Sequence, residues 1–326
     1  MDGNVGKNRS RILKDDLPLL LAQRVARLRA KESVTDQLFL YYCILSQDFE
    51  QYIDSIKTGT TISHISLGQL SEYEIPLPPL ATQRKIAAVL GAIDDKIETN
   101  RKICANLEAQ AQALFKSWFV DFDKCVVTTK QMQDVFDVFI GRTPPRKEFE
   151  WFSTNRSNNC IWVSIADMAN CGSFIADSSE YLTQGAIKKF NFKIAPKGTV
   201  LLGFKLIVGR VAIADEALVT NEAIAQLRSS DDRYREYLYC YLKQFDFDKL
   251  GSTSSIATAV NSTMIREMPF VVPSESALVE FHNVVAPMFE KMKTLLSESR
   301  ALASMRDALL PRLMSGEIDV EKVEVA

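Results

Sequence analysis

Two interleaved apolar stripes, each repeating every seven residues, occur twice in this chain and constrain its fold more than any other feature. The first copy runs Ile86, Ile93, Asn100, Leu107, Leu114 and, four residues on, Leu90, Ile97, Cys104, Ala111, Trp118. The same pattern returns 195 residues later as Phe281, Met288, Leu295, Leu302, Leu309 and Val285, Met292, Ser299, Arg306, Leu313. Only Asn100, Ser299 and Arg306 interrupt the stripes with strongly polar groups. Two seven-residue stripes offset by four are the seam of a coiled coil. The spacing therefore predicts two long helices that bury one narrow face each. Gly91 and Pro287 fall near equivalent places and predict an early break, with a short helix leading into a long one. The long part of the first, Ala92 to Phe119, would extend about 42 Å at 1.5 Å per residue.

The repeat extends upstream of the helices. Thr61 to Leu70 resembles Ile256 to Ile265, and Ile75-Pro76-Leu77-Pro78 resembles Phe270-Val271-Val272-Pro273, both at the offset of 195. Farther upstream, Ala26-Arg27-Leu28-Arg29 resembles Ala225-Gln226-Leu227-Arg228. An aromatic helical run follows each, Gln37 to Tyr42 and Arg235 to Cys240. The repeating unit is thus a mixed globular segment followed by a heptad helix. The second copy has roughly a hundred residues ahead of its aromatic run and the first only about 25, so the first is expected to lack its front. Within the second, residues 161–165, 198–204 and 207–213 read as strands, and Gly141 to Arg146 as a loop by its Gly and Pro content.

Composition narrows the function. At 326 residues, 47% hydrophobic and 25% charged, the chain is sized for two or three ordinary globular domains. Leu17 to Leu21 is too short for a secretory core, contains Pro18 and follows Lys14-Asp15-Asp16, and no stretch has the length of a membrane span. A cytoplasmic protein is expected. The cysteines (Cys43, Cys104, Cys125, Cys160, Cys171, Cys240) form no CxxC pair, and with only His64 and His282 beside them no metal site is expected. No phosphate loop and no GxSxG elbow occurs. Asp94-Asp95 and Asp121 with Asp123 read as solvated charge on or beside a helix. Neither catalysis nor a cofactor is expected. The net charge of −2 argues against nucleic-acid binding by bulk charge, but not against a local basic face. Between Tyr181 and Ala214 there is no Asp or Glu, while Lys188, Lys189, Lys193, Lys197, Lys205 and Arg210 lie there.

Several segments carry a family resemblance. Ile75 to Leu90 with Ile93-Asp94-Asp95-Lys96-Ile97, the run Leu107 to Phe122, and Ala308 to Ile318 resemble the conserved spacer segments of type I restriction–modification specificity subunits. Gly141-Arg142-Thr143-Pro144, Trp162 to Met168 and Pro196 to Leu201 resemble the opening and middle of that family's target-recognition domains. The resemblance implies mixed α/β recognition domains joined by two long antiparallel coiled-coil helices. It implies no catalysis by this chain itself. Its partners would be double-stranded DNA, methyltransferase subunits and, through them, a restriction subunit. On that reading residues 1–80 are a truncated first recognition domain, 81–124 the first spacer, 125–273 a complete second recognition domain and 274–326 the second spacer. The missing front would come from a second specificity polypeptide or a homodimer. DNA contacts are expected from Arg142, Thr143, Arg146 and Lys147 in the opening loop. Lys188, Lys189, Lys205 and Arg210 would add to them from the acid-free stretch, as would Ser252, Thr253 and Ser254 from the Ser-rich loop. The alternative is a non-reading scaffold that only binds methyltransferase subunits.

Overall fold

The structure is a computed structural model that describes residues 8–13, 16–22, 25–57, 65–121, 126–169, 171–205, 207–250 and 260–322. It forms two compact units, one from residues 1–99 with 298–326 and one from residues 100–297. The helices are α1 (Gln37–Leu45), α2 (Gln47–Ile56), α3 (Leu67–Ser71), α4 (Leu80–Phe115), α5 (Gln184–Lys189), α6 (Tyr234–Gln244), α7 (Ser262–Glu267) and α8 (Glu275–Met314). The strands are β1 (Val126–Gln131), β2 (Asp137–Ile140), β3 (Phe152–Ser153), β4 (Cys160–Val163), β5 (Phe174–Ile175) and β6 (Glu180–Leu182). They continue with β7 (Val200–Gly203), β8 (Arg210–Ala214), β9 (Leu218–Thr220), β10 (Ile224–Arg228) and β11 (Pro269–Pro273).

The expected early breaks are absent. α4 and α8 are each continuous, and α4 passes directly into a π-helical turn, Lys116–Asp121. Pro287 is exposed, and so is Asn283, whose carbonyl would have received the missing amide. Water can satisfy that carbonyl, so the helix survives. Gly91 is buried, and a Cβ there would lie 2.9 Å from Leu38 Cδ2. Its small size serves the approach of α1 rather than a break.

In the first unit the Asp36 carboxylate caps α1 by accepting from the Leu38 and Phe39 amides. Gln83 then fastens that cap to α4. Its amide oxygen accepts from Asp36 N at 3.0 Å, and its nitrogen donates to the carbonyls of Val34 and Pro78. Phe39, Tyr42 and Cys43 of α1 share a core with Ile86, Ala87 and Leu90 of α4 and with Leu310 and Leu313 of α8. Asp94 contradicts the solvated-charge expectation. Its side chain is 13% exposed, accepts from Tyr42 Oη at 2.7 Å, and is paired with Arg306 Nη1 of α8 at 2.8 Å. Arg306, polar within an apolar stripe, is thus matched to a carboxylate on the facing helix. Ile12, Leu17, Leu20 and Val25 are exposed.

The second unit also contains both long helices, and they run antiparallel there. Cys104 Sγ reaches the Met292 carbonyl at 3.7 Å, while Phe115, farther along α4, meets Phe281, farther back along α8. A five-stranded sheet in the order β2-β10-β7-β8-β5 is antiparallel except for the β5–β8 pair. A four-stranded sheet follows the order β3-β6-β4-β9, with β4 and β9 parallel. β1 and β11 form an antiparallel pair.

Side chains alternate across the five-stranded sheet, as strand geometry requires. Val200, Leu202, Val211, Ile213, Ala225 and Leu227 join the core under α4, α6 and α8. Leu201, Ala212, Ala214 and Ile224 join a second core with Ile161 and Val163 of the other sheet. Both faces of β7 and β8 are apolar, so these two strands read in sequence as near-continuous hydrophobic runs, whereas β10 carries Gln226 and Arg228 on one face. A third core, around Trp162, Leu182, Ile187 and Phe192, lies beneath α5. Two carboxylates tie the layers together. Glu108 of α4 accepts from Tyr239 Oη at 2.7 Å, pairs with Lys243 at 3.1 Å and receives Ser173 Oγ at 3.2 Å. Glu236, fully buried on α6, is held between Arg235 Nε at 2.8 Å and His282 Nδ1 at 2.9 Å. His282 is therefore structural.

Candidate nucleic-acid interface

The opening loop leaves β2 through Gly141. A Cβ there would lie 2.1 Å from the Asn221 carbonyl and 2.2 Å from that of Thr220, so only glycine fits. The Gly141 amide donates to Ile224 O at 3.1 Å, and the Arg142 amide to Thr220 O at 2.8 Å. The buried Trp162 donates its indole N–H to the Arg142 carbonyl at 3.1 Å. The Arg142 backbone is thus fixed on both sides while its side chain stays exposed.

The rest of the loop divides by role. Thr143 Oγ1 donates to Glu222. The Arg146 guanidinium stands 4.6 Å from the ring centres of both Phe152 and Trp162 and is bonded to Glu180 at 2.9 and 3.0 Å. Lys147 is exposed, and no partner for it is seen among the described residues.

The chain returns to this loop at the end of α5. Thr183 caps the helix start through Ala186 N. Asn191 closes the helix in the left-handed region, φ 49°, with Phe192 N bonded back to Ile187 O at 3.1 Å. That turn exposes the Phe190 carbonyl, which accepts from Arg142 Nη1 at 3.0 Å. Lys188 is exposed. Lys189 lies 4.4 Å from the Trp151 ring and 3.7 Å from a Glu148 carboxylate oxygen.

The acid-free stretch is therefore not acid-free in space. Lys189 faces Glu148, and Lys197 is paired with Asp215 at 2.9 Å. Arg210, half-buried, donates from Nη1 to the Ile165 carbonyl at 2.6 Å. Lys205 is exposed beside Phe204. Ser252, Thr253, Ser254 and His64 lie outside the described residues.

What sequence reasoning missed is a polar cleft of about 380 Å³ next to the opening loop. Arg142, Lys193 and Arg266 line it together with Phe139, Phe192 and Gln226. Gln226 is 1% exposed, and its amide is held at both ends. Its nitrogen donates to Thr220 Oγ1 at 3.1 Å, and its oxygen accepts from Arg228 at 2.6 Å. The Arg228 guanidinium lies 4.3 Å from the Phe139 ring centre, and burial draws its pKa down. Lys193 had a signal, since it belongs to the acid-free stretch. Arg266 had none, because it enters from α7, far along the chain.

Among the described residues, no group of three or more His, Cys, Asp or Glu side chains could hold a metal ion. No helix there is long and apolar enough to cross a membrane.

Comparison with known proteins agrees with this architecture. The family described as "Type I restriction modification DNA specificity domain" matches residues 9–109 and 126–277. The type I restriction enzyme MjaIX specificity subunit of Methanocaldococcus jannaschii is 28% identical over 331 residues, covering 94% of this chain and 74% of that protein. The HindI specificity subunit of Haemophilus influenzae is 24% identical over 358 residues, covering 86% of this chain and 77% of that protein. Among solved structures, the S subunit of a type I restriction–modification system from M. genitalium aligns with a TM-score of 0.50. The alignment is 19% identical and covers 85% of this chain and 72% of that one, a likeness of fold.

Proposed function

This chain belongs to the type I restriction–modification DNA specificity family, and we propose that it reads one half of a split DNA target with residues 125–273 and holds methyltransferase subunits through the pair of long helices. The observation that carries the reading is the opening loop. Gly141 and Arg142 are fixed by backbone and indole hydrogen bonds on a frame with three cores, and the loop presents Arg142 and Lys147 to solvent. Recognition residues work best on loops held by a rigid scaffold, where little ordering entropy is lost on binding. Cationic side chains attract the phosphate backbone, and the same side chains placed in a groove can reach base edges.

Two long antiparallel helices support the spacer reading. α4 is 36 residues long and α8 is 40, and the carboxylates Asp94 and Glu108 tie α4 to its neighbours. Residues 1–80 make a first recognition segment on this reading, with residues 81–124 and 274–326 as the two spacers.

The test is selection from randomised duplex DNA with the chain assembled on its methyltransferase partner. A reproducible half-site preference is expected, lost on substitution of Arg142 and Lys147 to Ala. Co-purification with the methyltransferase and no sequence preference would replace this reading with that of a scaffold.

A further inference from the structure

The cleft beside the opening loop differs from the loop in what it can bind. Its three cations come from separate parts of the chain: Arg142 after β2, Lys193 after α5 and Arg266 in α7. Among the described residues, no carboxylate lines it. Three like charges brought to one hollow are costly unless an anion joins them.

The other lining groups say which kind of anion. A stacked base would need an open aromatic face, an adenine or cytosine edge would need an amide or a carboxylate, and a guanine edge, which arginine can read, is neutral and would leave three converging charges uncompensated. One face of Phe139 is already covered by Arg228, and Phe192 is buried in the core under α5. Gln226, the one amide among the described lining residues, spends its oxygen on Arg228 and its nitrogen on Thr220. What the cleft has left to give is N–H donors carrying positive charge. Arg142 has one Nη1 bond, to Phe190 O, and Arg266 a long one of 3.5 Å to Ser262 O. Their remaining donors and the Lys193 ammonium suit the oxygens of a phosphodiester, which accept charge-assisted hydrogen bonds.

We propose that this cleft seats a single backbone phosphate of the target duplex, held by Lys193 and Arg266 without reading a base, and so fixes the register in which the opening loop, with Arg142 at its edge, meets the DNA. The proposal rests on the DNA-reading function above. It assigns Lys193 and Arg266 a uniform contribution to affinity, and leaves sequence choice to the loops around them.

The experiment uses the full chain with its methyltransferase partner. Lys193→Ala and Arg266→Ala are compared with the unmodified protein by equilibrium binding across a salt series, on a selected duplex and on a scrambled one. Each variant should lose roughly tenfold in affinity on both duplexes alike. Each should also reduce the slope of log affinity against log salt by about one. Lys193→Arg should restore both. Equal thermal melting of all forms excludes misfolding as the cause. A loss confined to the selected duplex, or an altered base preference, would make the cleft a base reader and overturn the proposal. Unchanged affinity and slope would overturn it as well. Inorganic phosphate is titrated in parallel: competition at sub-millimolar concentration would assign the cleft to a free anion instead. If the unmodified protein shows no sequence preference, the reading-domain function fails, yet the salt slopes on scrambled DNA still decide the cleft.

Discussion

Replacing Asp94 by Ala should loosen the first unit by about 3 kcal/mol, an amount built from two lost interactions. The Tyr42 hydroxyl loses a bond to a carboxylate, and such charge-assisted bonds are worth about 1.5–3 kcal/mol. Arg306 loses its cross-helix partner in a site where the two side chains are 24% and 13% exposed. Breaking a fully buried pair costs about 3–5 kcal/mol by stranding a charge. Here the loss is smaller, because Arg306 keeps two bonds of 2.8 and 2.9 Å to Asp307. Arg306→Met, which leaves Asp94 with Tyr42, should cost only about 1 kcal/mol, and Asp94→Asn should fall between the two. The double variant should be less damaged than the sum, with a coupling of about 1–2 kcal/mol. Amide hydrogen exchange in α1 reads the effect locally, and Asp94→Ala should lower protection there about a hundredfold. Protection within twofold of the unmodified chain, or strict additivity in the cycle, would refute the view that this triad joins α1 to both long helices.

Gly141→Ala should abolish DNA affinity and lower stability by more than about 3 kcal/mol, because the new methyl meets two carbonyl oxygens that cannot move without breaking the Arg142 and Ile224 bonds. Thermal melting and binding would be measured together, and a stable, binding-competent variant would contradict the close approach. Stability should also fall in alkali: the Asp177 bond and then burial push Tyr181 up to about 12, and burial pushes Tyr241 up to about 12, against about 10 in an unfolded chain. The folded state then holds these protons longer. Their contribution is complete below about pH 10 and is lost as the pH rises toward 12, which a pH series of urea midpoints checks.

The long helices were legible because burial of one narrow face imposes a period that survives in a single sequence. Their continuity was not. Pro287 signals a break by its chemistry, yet it sits on the exposed face where water replaces the lost bond, and Gly91 answers to a neighbour that no local window contains. Strands β4, β7 and β8 were legible as apolar runs. Their order was not, since the parallel pairs β4–β9 and β5–β8 join segments that share no local pattern. The charge balance of the basic stretch was illegible for the same reason. Lys189 and Lys197 have no acids near them in sequence, but Glu148 and Asp215 reach them in space. The loop that carries Arg142 was legible from its glycine and prolines. Arg266, on a short helix with ordinary composition, joins the same cleft without a trace in its own surroundings.

A sheet with one wet face knows its register by polarity, since a slip of one residue turns its charged side chains inward. Strands β7 and β8 lack that safeguard, because Val200–Leu202 and Val211–Ala214 are buried and apolar on both sides. Size takes over the task. Leu201 lies opposite Ala212, and Leu202 is flanked by Val211 on one side and Ala225 on the other. Gly203 leaves room for Ile165, whose Cδ1 would lie 2.5 Å from an added Cβ. A slipped strand would keep every residue greasy and still fail, by overfilling one core and hollowing the other. Conservative exchanges among Ala, Val and Leu, harmless on most sheets, are therefore the substitutions by which this domain would lose its alignment.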